Sequence, residues 1–199
     1  MAIRKNSIDR KTEIVAATLD LVAELGPEGV TTQAVAGRVG ITQAGVFRHF
    51  PAKRDLWLTV AEWTVTEARR RWSEACRNEE SPLASIRRVI EAHLQFIQGT
   101  PAIHSLIFSR ELHTQNEELR QVFHNMAKDF HAVLTDLSRQ AQAAADLPGN
   151  IAPQEIAKLL LSLPSGLATQ WSLSGRSFDL AEEGRRLLEI LLDCLHKAR

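Results

Sequence analysis

The sequence predicts an all-α fold of about nine helices. Three observations carry that expectation. Apolar residues recur at spacings of three and four along most of the 199-residue chain. No strand-length run of alternating apolar and polar residues is bounded by turn signals. Leu and Ala dominate, and Tyr is absent. A chain of this length is one domain or one and a half, and it can bury a sizeable core.

Residues 1–7 read as a basic arm carrying Arg4 and Lys5. Residues 8–25 form the first helix, with Ile14, Val15, Thr18, Leu21, Val22 and Leu25 at helical spacing. Gly26-Pro27-Glu28-Gly29 ends it, and Val30 is expected in the same small core. Residues 31–54, TTQAVAGRVGITQAGVFRHFPAKR, then read as two short helices about a glycine turn. Ala34, Val35, Ala36 and Val39 give the first an apolar side, and Thr31 or Thr32 caps its start. Gly40 suits the left-handed exit. Ile41 re-enters the core, Thr42 caps the second helix, and Val46, Phe47 and Phe50 follow at helical spacing. Pro51 stops it. Two helices this short cannot stabilise each other alone. The pattern fits either a helical hairpin in an all-α core or a helix–turn–helix, whose second helix enters the major groove.

A long helix runs from Lys53 to about Asn78, marked by Leu56, Trp57, Val60, Ala61, Trp63, Thr64, Ala68 and Trp72; at about 1.5 Å per residue it spans near 35 Å. Its Arg69-Arg70-Arg71 run reads as a solvated face. Glu79-Glu80-Ser81-Pro82 is a break, with Ser81 as cap and Pro82 at the first helical position. Helices follow over 82–98, 101–109 and 116–145, the last two separated by an unassigned stretch. Leu147-Pro148-Gly149-Asn150 is a loop. The last two helices cover 153–174 and 178–198, and Pro164 is expected to bend the first of them.

The stretch GVTTQAVAGRVGITQAGVFRHFPAKRDLW resembles the amino-terminal DNA-binding signature of TetR-type (TetR/AcrR) transcriptional regulators. The specific features are the Val39-Gly40-Ile41-Thr42 turn, the aromatic Phe47, His49-Phe50, and Pro51-x-Lys53-x-x-Leu56. The similarity covers residues 10–60 closely and the remainder by helix order and length. It implies a helix–turn–helix domain over 1–52 and an effector-binding and dimerisation domain over 53–199. It also places Thr31, Thr32, Thr42, Gln43, Ala44, Gly45, Phe47, Arg48, His49 and Lys53 at the DNA. Thr32 and Thr42 stand at helix starts, where hydroxyl and N–H groups favour phosphate. Gln43, Ala44 and Arg48 face base edges, Gln suiting adenine and Arg guanine. Lys53 suits a phosphate, and His49 either a phosphate or the core. Gly45 and Phe47 depart from the family pattern, which commonly has a threonine and a tyrosine there. Each loses a hydroxyl worth about 1 kcal/mol.

The formal net charge is zero, but its distribution is uneven. Residues 1–54 hold eight Lys or Arg against five acids, and the rest of the chain sixteen against nineteen. The basic excess therefore lies on the segment that carries the motif, and it is modest enough that affinity should lean on dimerisation as well. No apolar stretch reaches the roughly 18 residues of a membrane span. MAIRKNSIDRKTEIV has no signal-peptide core. Cys76 and Cys194 lack metal spacing and read as reduced thiols of a cytoplasmic protein. His93, His104, His113, His124 and His131 offer no chelating set, since His124 and His131 stand about 10 Å apart. No catalytic constellation, cofactor motif or metal site is expected.

Trp57, Trp63, Phe96, Phe108, Phe123, Met126 and Phe130 are candidates for a pocket that takes a small hydrophobic or aromatic effector, against plain core packing for any one of them. The last two helices carry more apolar residues than one buried side needs. This points to a homodimer built as a four-helix bundle, with Leu160, Leu163, Leu167, Trp171, Leu188, Leu191 and Leu195 at the interface. The resemblance implies a repressor of a palindromic operator on double-stranded DNA, released by the effector. Two other readings stand beside it. One is a same-fold regulator or nucleoid-associated protein controlled by a protein or by DNA. The other is a helical carrier of small molecules with vestigial DNA binding.

Overall fold

The computed structural model describes residues 7–77 and 81–197. The arm at Arg4 and Lys5 and the Glu79-Glu80 portion of the predicted break lie outside the described residues. Ten helices and no strand are found among those described. They are α1 (Ser7–Gly29), α2 (Thr32–Val39), α3 (Gln43–His49), α4 (Lys53–Ala75), α5 (Pro82–Gly99), α6 (Ala102–Phe108), α7 (Arg110–Gln115), α8 (Glu117–Ala143), α9 (Pro153–Leu173) and α10 (Leu180–Lys197). No helix among the described residues is long and apolar enough to cross a membrane. The chain falls into two compact units, Met1–Val65 with Thr100–Phe123, and Thr66–Gly99 with His124–Arg199.

In the first unit α1 packs on α2, α3, α6 and α7. Ile14, Val15, Val22, Val30, Val35, Val46 and Phe50 are its buried centre. Gly26, at φ 74° and ψ 164°, breaks α1 in a conformation that glycine alone adopts freely, and Pro27 starts one further turn. Leu25, at that break, is exposed. Residues 110–115 form a helix where the sequence predicts none. It is held by its ends: Ser109 Oγ accepts from the Leu112 N–H at 3.2 Å, and Asn116 Oδ1 then caps α8 by accepting from the Leu119 N–H at 3.0 Å.

In the second unit α5 packs on both α9 and α10, which also pack on each other. Ser81 Oγ caps α5 by accepting from the Ala84 N–H at 3.1 Å. Ile86, Val89, Ile90 and Leu94 of α5 are wholly buried, as are Ile156 and Leu160 of α9. Gly184 of α10 is where the helices come closest, because a Cβ there would overlap Leu94 Cδ1. Arg87 adds a two-bond pair to Glu189, at 2.7 and 2.9 Å. α9 runs on through the buried Pro164. Asp179 Oδ1 caps α10 by accepting from the Glu182 N–H at 2.8 Å.

Candidate nucleic-acid interface

Two threonine caps and one glycine set the geometry of α2 and α3. Thr31 Oγ1 accepts from the Ala34 N–H and Thr42 Oγ1 from the Gly45 N–H, each at 3.1 Å. Of the two cap candidates for α2, Thr31 is the one used. Gly40 adopts φ 74° and ψ 36°, and the next N–H, that of Ile41, returns to Ala36 O at 3.0 Å. This closure turns the chain sharply without leaving the α2 carbonyls unmatched.

Val46 fastens the inner side of α3, wholly buried. The opposite side leaves Gln43, Ala44, Phe47 and Arg48 exposed, with Gly45 and His49 half-buried between the two. Gln43 Nε2 donates to Thr32 Oγ1 at 2.8 Å, tying the first residue of α3 to the start of α2. At Gly45 an added Cβ would meet Thr42 Oγ1 at 3.4 Å and Ile41 Cδ1 at 3.5 Å, which is ordinary contact. The missing hydroxyl there is therefore not forced by crowding.

Most cations of this end are already engaged. Arg38 forms two bonds to Glu24, at 3.0 and 2.6 Å, which lower the Glu24 pKa and raise that of Arg38. Arg10 meets Glu13 at 2.9 Å, and Arg54 pairs with Glu118. The Lys11 and Lys53 ammonium groups lie over the rings of Phe50 and Trp57, 5.6 and 5.8 Å from the centroids. Arg48 has no such partner among the described residues.

The family model for "Bacterial regulatory proteins, tetR family" matches residues 14–60, and that for "BetI-type transcriptional repressor, C-terminal" matches residues 82–197. The chain belongs to the TetR family. It is a DNA-binding transcriptional regulator of that family. Its curated relatives include the nucleoid occlusion factor SlmA of Marinomonas sp. (strain MWYL1), 27% identical over 153 residues, which cover 77% of this chain and 75% of that one. The SlmA of Vibrio cholerae is 25% identical over 134 residues, 67% and 68% of the two chains. Similar solved structures include a transcriptional regulator of Saccharomonospora viridis in complex with choline, at TM-score 0.82, 19% identity and 94% and 96% coverage. FadR of Bacillus subtilis in complex with stearoyl-CoA has TM-score 0.78 and 18% identity, with 91% and 97% covered. These structural likenesses show the fold.

In this TetR-family chain the residues expected around an effector differ in exposure. Phe108 is 58% exposed and Trp63 is exposed too, whereas Trp57, Phe96, Phe123, Met126 and Phe130 are buried. Arg71 lies 4.9 Å from the Phe96 ring centroid. Phe130 stacks on Trp72 at 4.5 Å and meets His93 at 4.4 Å, and the Trp72 indole donates to His93 Nδ1 at 3.4 Å. Burial holds the His93 pKa down at about 4, so the ring is neutral. This cluster adds Trp72 and His93 to the aromatic residues picked from the sequence. No group of three or more His, Cys, Asp or Glu side chains among the described residues is placed to hold a metal.

The residues expected at the subunit interface differ in burial within the chain. Leu160, Leu167, Trp171, Leu188 and Leu195 are buried inside their own chain, against the α5 side of the bundle, and offer a partner almost no area. Leu163 and Leu191 are half-buried. The exposed large apolar residues of α9 and α10 are Leu159, Leu173 and Ile190. Leu159, Leu163, Gly166 and Leu173 form a stripe along α9 at spacings of four, three and seven, and Leu187, Ile190, Leu191 and Cys194 form one along α10. Strong apolar content in both helices made the excess legible, but no residue type marks which side faces α5.

Proposed function

We propose that this protein is a dimeric, cytoplasmic repressor that leaves a palindromic operator when a small hydrophobic effector binds. The observation that carries the reading is the outer side of α3, where Gln43, Ala44, Phe47 and Arg48 stand exposed above a buried Val46. Residues 1–52 act as the DNA-binding domain and 53–199 as the effector-binding and dimerisation domain. Thr31, Thr32, Thr42 and Lys53 approach phosphates, Gln43 and Arg48 read base edges, and His49 supports the helix from its half-buried position. Dimerisation through the α9 and α10 stripes sets two copies of α3 in successive major grooves, about 34 Å apart. Similar folds hold choline and stearoyl-CoA, which supports an organic effector for this one. Effector and operator must weaken one another's binding equally.

The test is selection of genomic fragments by the purified protein at about 0.15 M salt. Enrichment of a palindrome with half-sites one helical turn apart supports the reading, and failure to enrich any duplex sinks it. A second reading, a same-fold regulator or nucleoid-associated protein controlled by a protein or by DNA, has weak support from relatives named nucleoid occlusion factor that are 25–27% identical. Many dispersed sites with no response to small molecules would favour that one.

A further inference from the structure

The cations of the first unit are held in two chemically different ways. Arg10, Arg38 and Arg54 sit on the carboxylates of Glu13, Glu24 and Glu118. Lys11 and Lys53 sit on aromatic faces, those of Phe50 and Trp57. The difference matters to an incoming anion. A carboxylate takes up both the charge and the N–H groups of its cation, whereas a ring face attracts an ammonium and leaves its charge uncancelled. An ammonium carries three N–H donors on a compact head, so one lodged on a ring keeps donors turned toward solvent.

Lys11 belongs to α1, which supplies none of the residues placed at the DNA from the sequence. It stands one turn ahead of Ile14 and Val15 on the same side of the helix, and those two are buried. Its stem therefore leans over the small core while the residue remains exposed. The core side chain it reaches is Phe50, whose ring centroid lies 5.6 Å from Lys11 Nζ. That ring is a fixed platform: Phe50 is 2% exposed, and its N–H closes α3 on Val46 O at 2.9 Å. Phe50 follows the exposed Arg48 by two positions and precedes Lys53 by three, so Lys11 is held at the C-terminal end of α3. A helix lying in a major groove about 12 Å wide is flanked by the phosphates of both strands, and the ends of α3 are where they pass.

We propose that Lys11 contacts a backbone phosphate of the DNA, with the Phe50 ring as its seat. The proposal rests on α3 entering the major groove, and it adds α1 to an interface drawn so far from α2, α3 and α4. The contact carries no base information, because phosphates are common to every sequence; it fixes the register of α3 on the duplex. It also adds one cation to those that neutralise phosphates on binding. Phe50 is a positioning residue: its ring orders the ammonium before DNA arrives, so less side-chain freedom is lost on association.

The probes are a duplex of random sequence and the selected operator, titrated with the full-length protein from about 0.05 to 0.2 M salt. Lys11→Gln is expected to weaken both duplexes by the same factor, and to make the dependence of log Kd on log salt less steep by about one on each. Lys11→Arg keeps the charge and should retain the wild-type slope. Phe50→Leu removes the ring and keeps an apolar side chain in the core; in that background Lys11→Gln should cost less than in the wild type. Melting curves verify its folding, and should Phe50→Leu not fold, Lys11→Gln and Lys11→Arg decide. A wild-type slope in Lys11→Gln, a flattened slope in Lys11→Arg, a loss confined to the operator, or an undiminished cost beside Phe50→Leu would overturn the proposal. The random duplex reads the contact even where no operator is selected, so failure of the repressor reading and failure of this one are told apart.

Discussion

Gln43 donates its side-chain amide to the hydroxyl of Thr32 at 2.8 Å, so the first residue of the DNA-facing helix is held by the helix that braces it. The bond leaves the Gln43 carbonyl free to accept and fixes the direction in which it points. Thr32→Val removes the hydroxyl with little change in shape. Its expected effect is a relaxed base preference at the position Gln43 meets, with the Kd for the best operator rising less than about tenfold, the equivalent of one hydrogen bond. Binding to a series of single-base operator variants measures it, and an unaltered preference would mean that Gln43 does not read a base.

Arg48→Ala should weaken binding to the preferred operator more than binding to random duplex. A bidentate contact to guanine discriminates by about 1–3 kcal/mol, whereas a phosphate contact weakens all sequences alike. Equal losses on both duplexes would make Arg48 a phosphate contact.

Gly45 has room for a side chain, as the 3.4 Å distance from a built Cβ to Thr42 Oγ1 shows. Gly45→Ala should raise stability by about 0.5–1 kcal/mol, because glycine is a poor helix former. Gly45→Thr should in addition tighten operator binding, by restoring a hydroxyl toward phosphate. Thermal melts and operator titrations separate the two effects.

Leu173, 83% exposed, and Ile190 lie on the α9 and α10 stripes. Leu173→Glu with Ile190→Glu should yield a folded monomer by sedimentation. Leu160→Ala should instead lower stability by about 2–5 kcal/mol, since Leu160 is wholly buried in its own chain. A double variant that stays dimeric would place the interface elsewhere.

His93 makes stability depend on pH. Its pKa is held at about 4 by burial, below the ordinary histidine value of 6.5, so the unfolded chain binds the proton first as pH falls. Its neutral form costs nothing above pH 6.5, and stability drops between about 6.5 and 4, by up to about 3 kcal/mol. His104, half-buried and also lowered, contributes with the same sign. His93→Gln, which retains an acceptor for the Trp72 indole, should flatten the dependence in that window; urea melts from pH 4 to 7 read it.

What could be read from residues alone was whatever local chemistry decides. Thr42, Gly40 and Pro51 announce the ends of α2 and α3 because a cap, a left-handed turn and a lost N–H act within a few residues. The outward face of α3 came from the family resemblance, because helical spacing alone groups the exposed Phe47 with the buried Val46 and Phe50. α7 escaped notice because none of its six residues is buried, so it shows no apolar rhythm; the caps at Ser109 and Asn116 make it. The inner side of α9 was legible only as an apolar excess, for Leu159 and Leu160 are chemically alike and only α5 distinguishes them.

The carboxylates around the helix–turn–helix give it one more property. Glu24, Glu13 and Glu118 already sit on Arg38, Arg10 and Arg54. This end of the molecule therefore behaves as an ion exchanger supplied with its own counter-ions. An operator phosphate gains those three arginines only by displacing a resident carboxylate, so each exchange adds less net attraction than an unpaired cation would. The cations available to phosphate without such an exchange are fewer than the composition suggests, and recognition falls correspondingly to the shape and hydrogen bonding of α3.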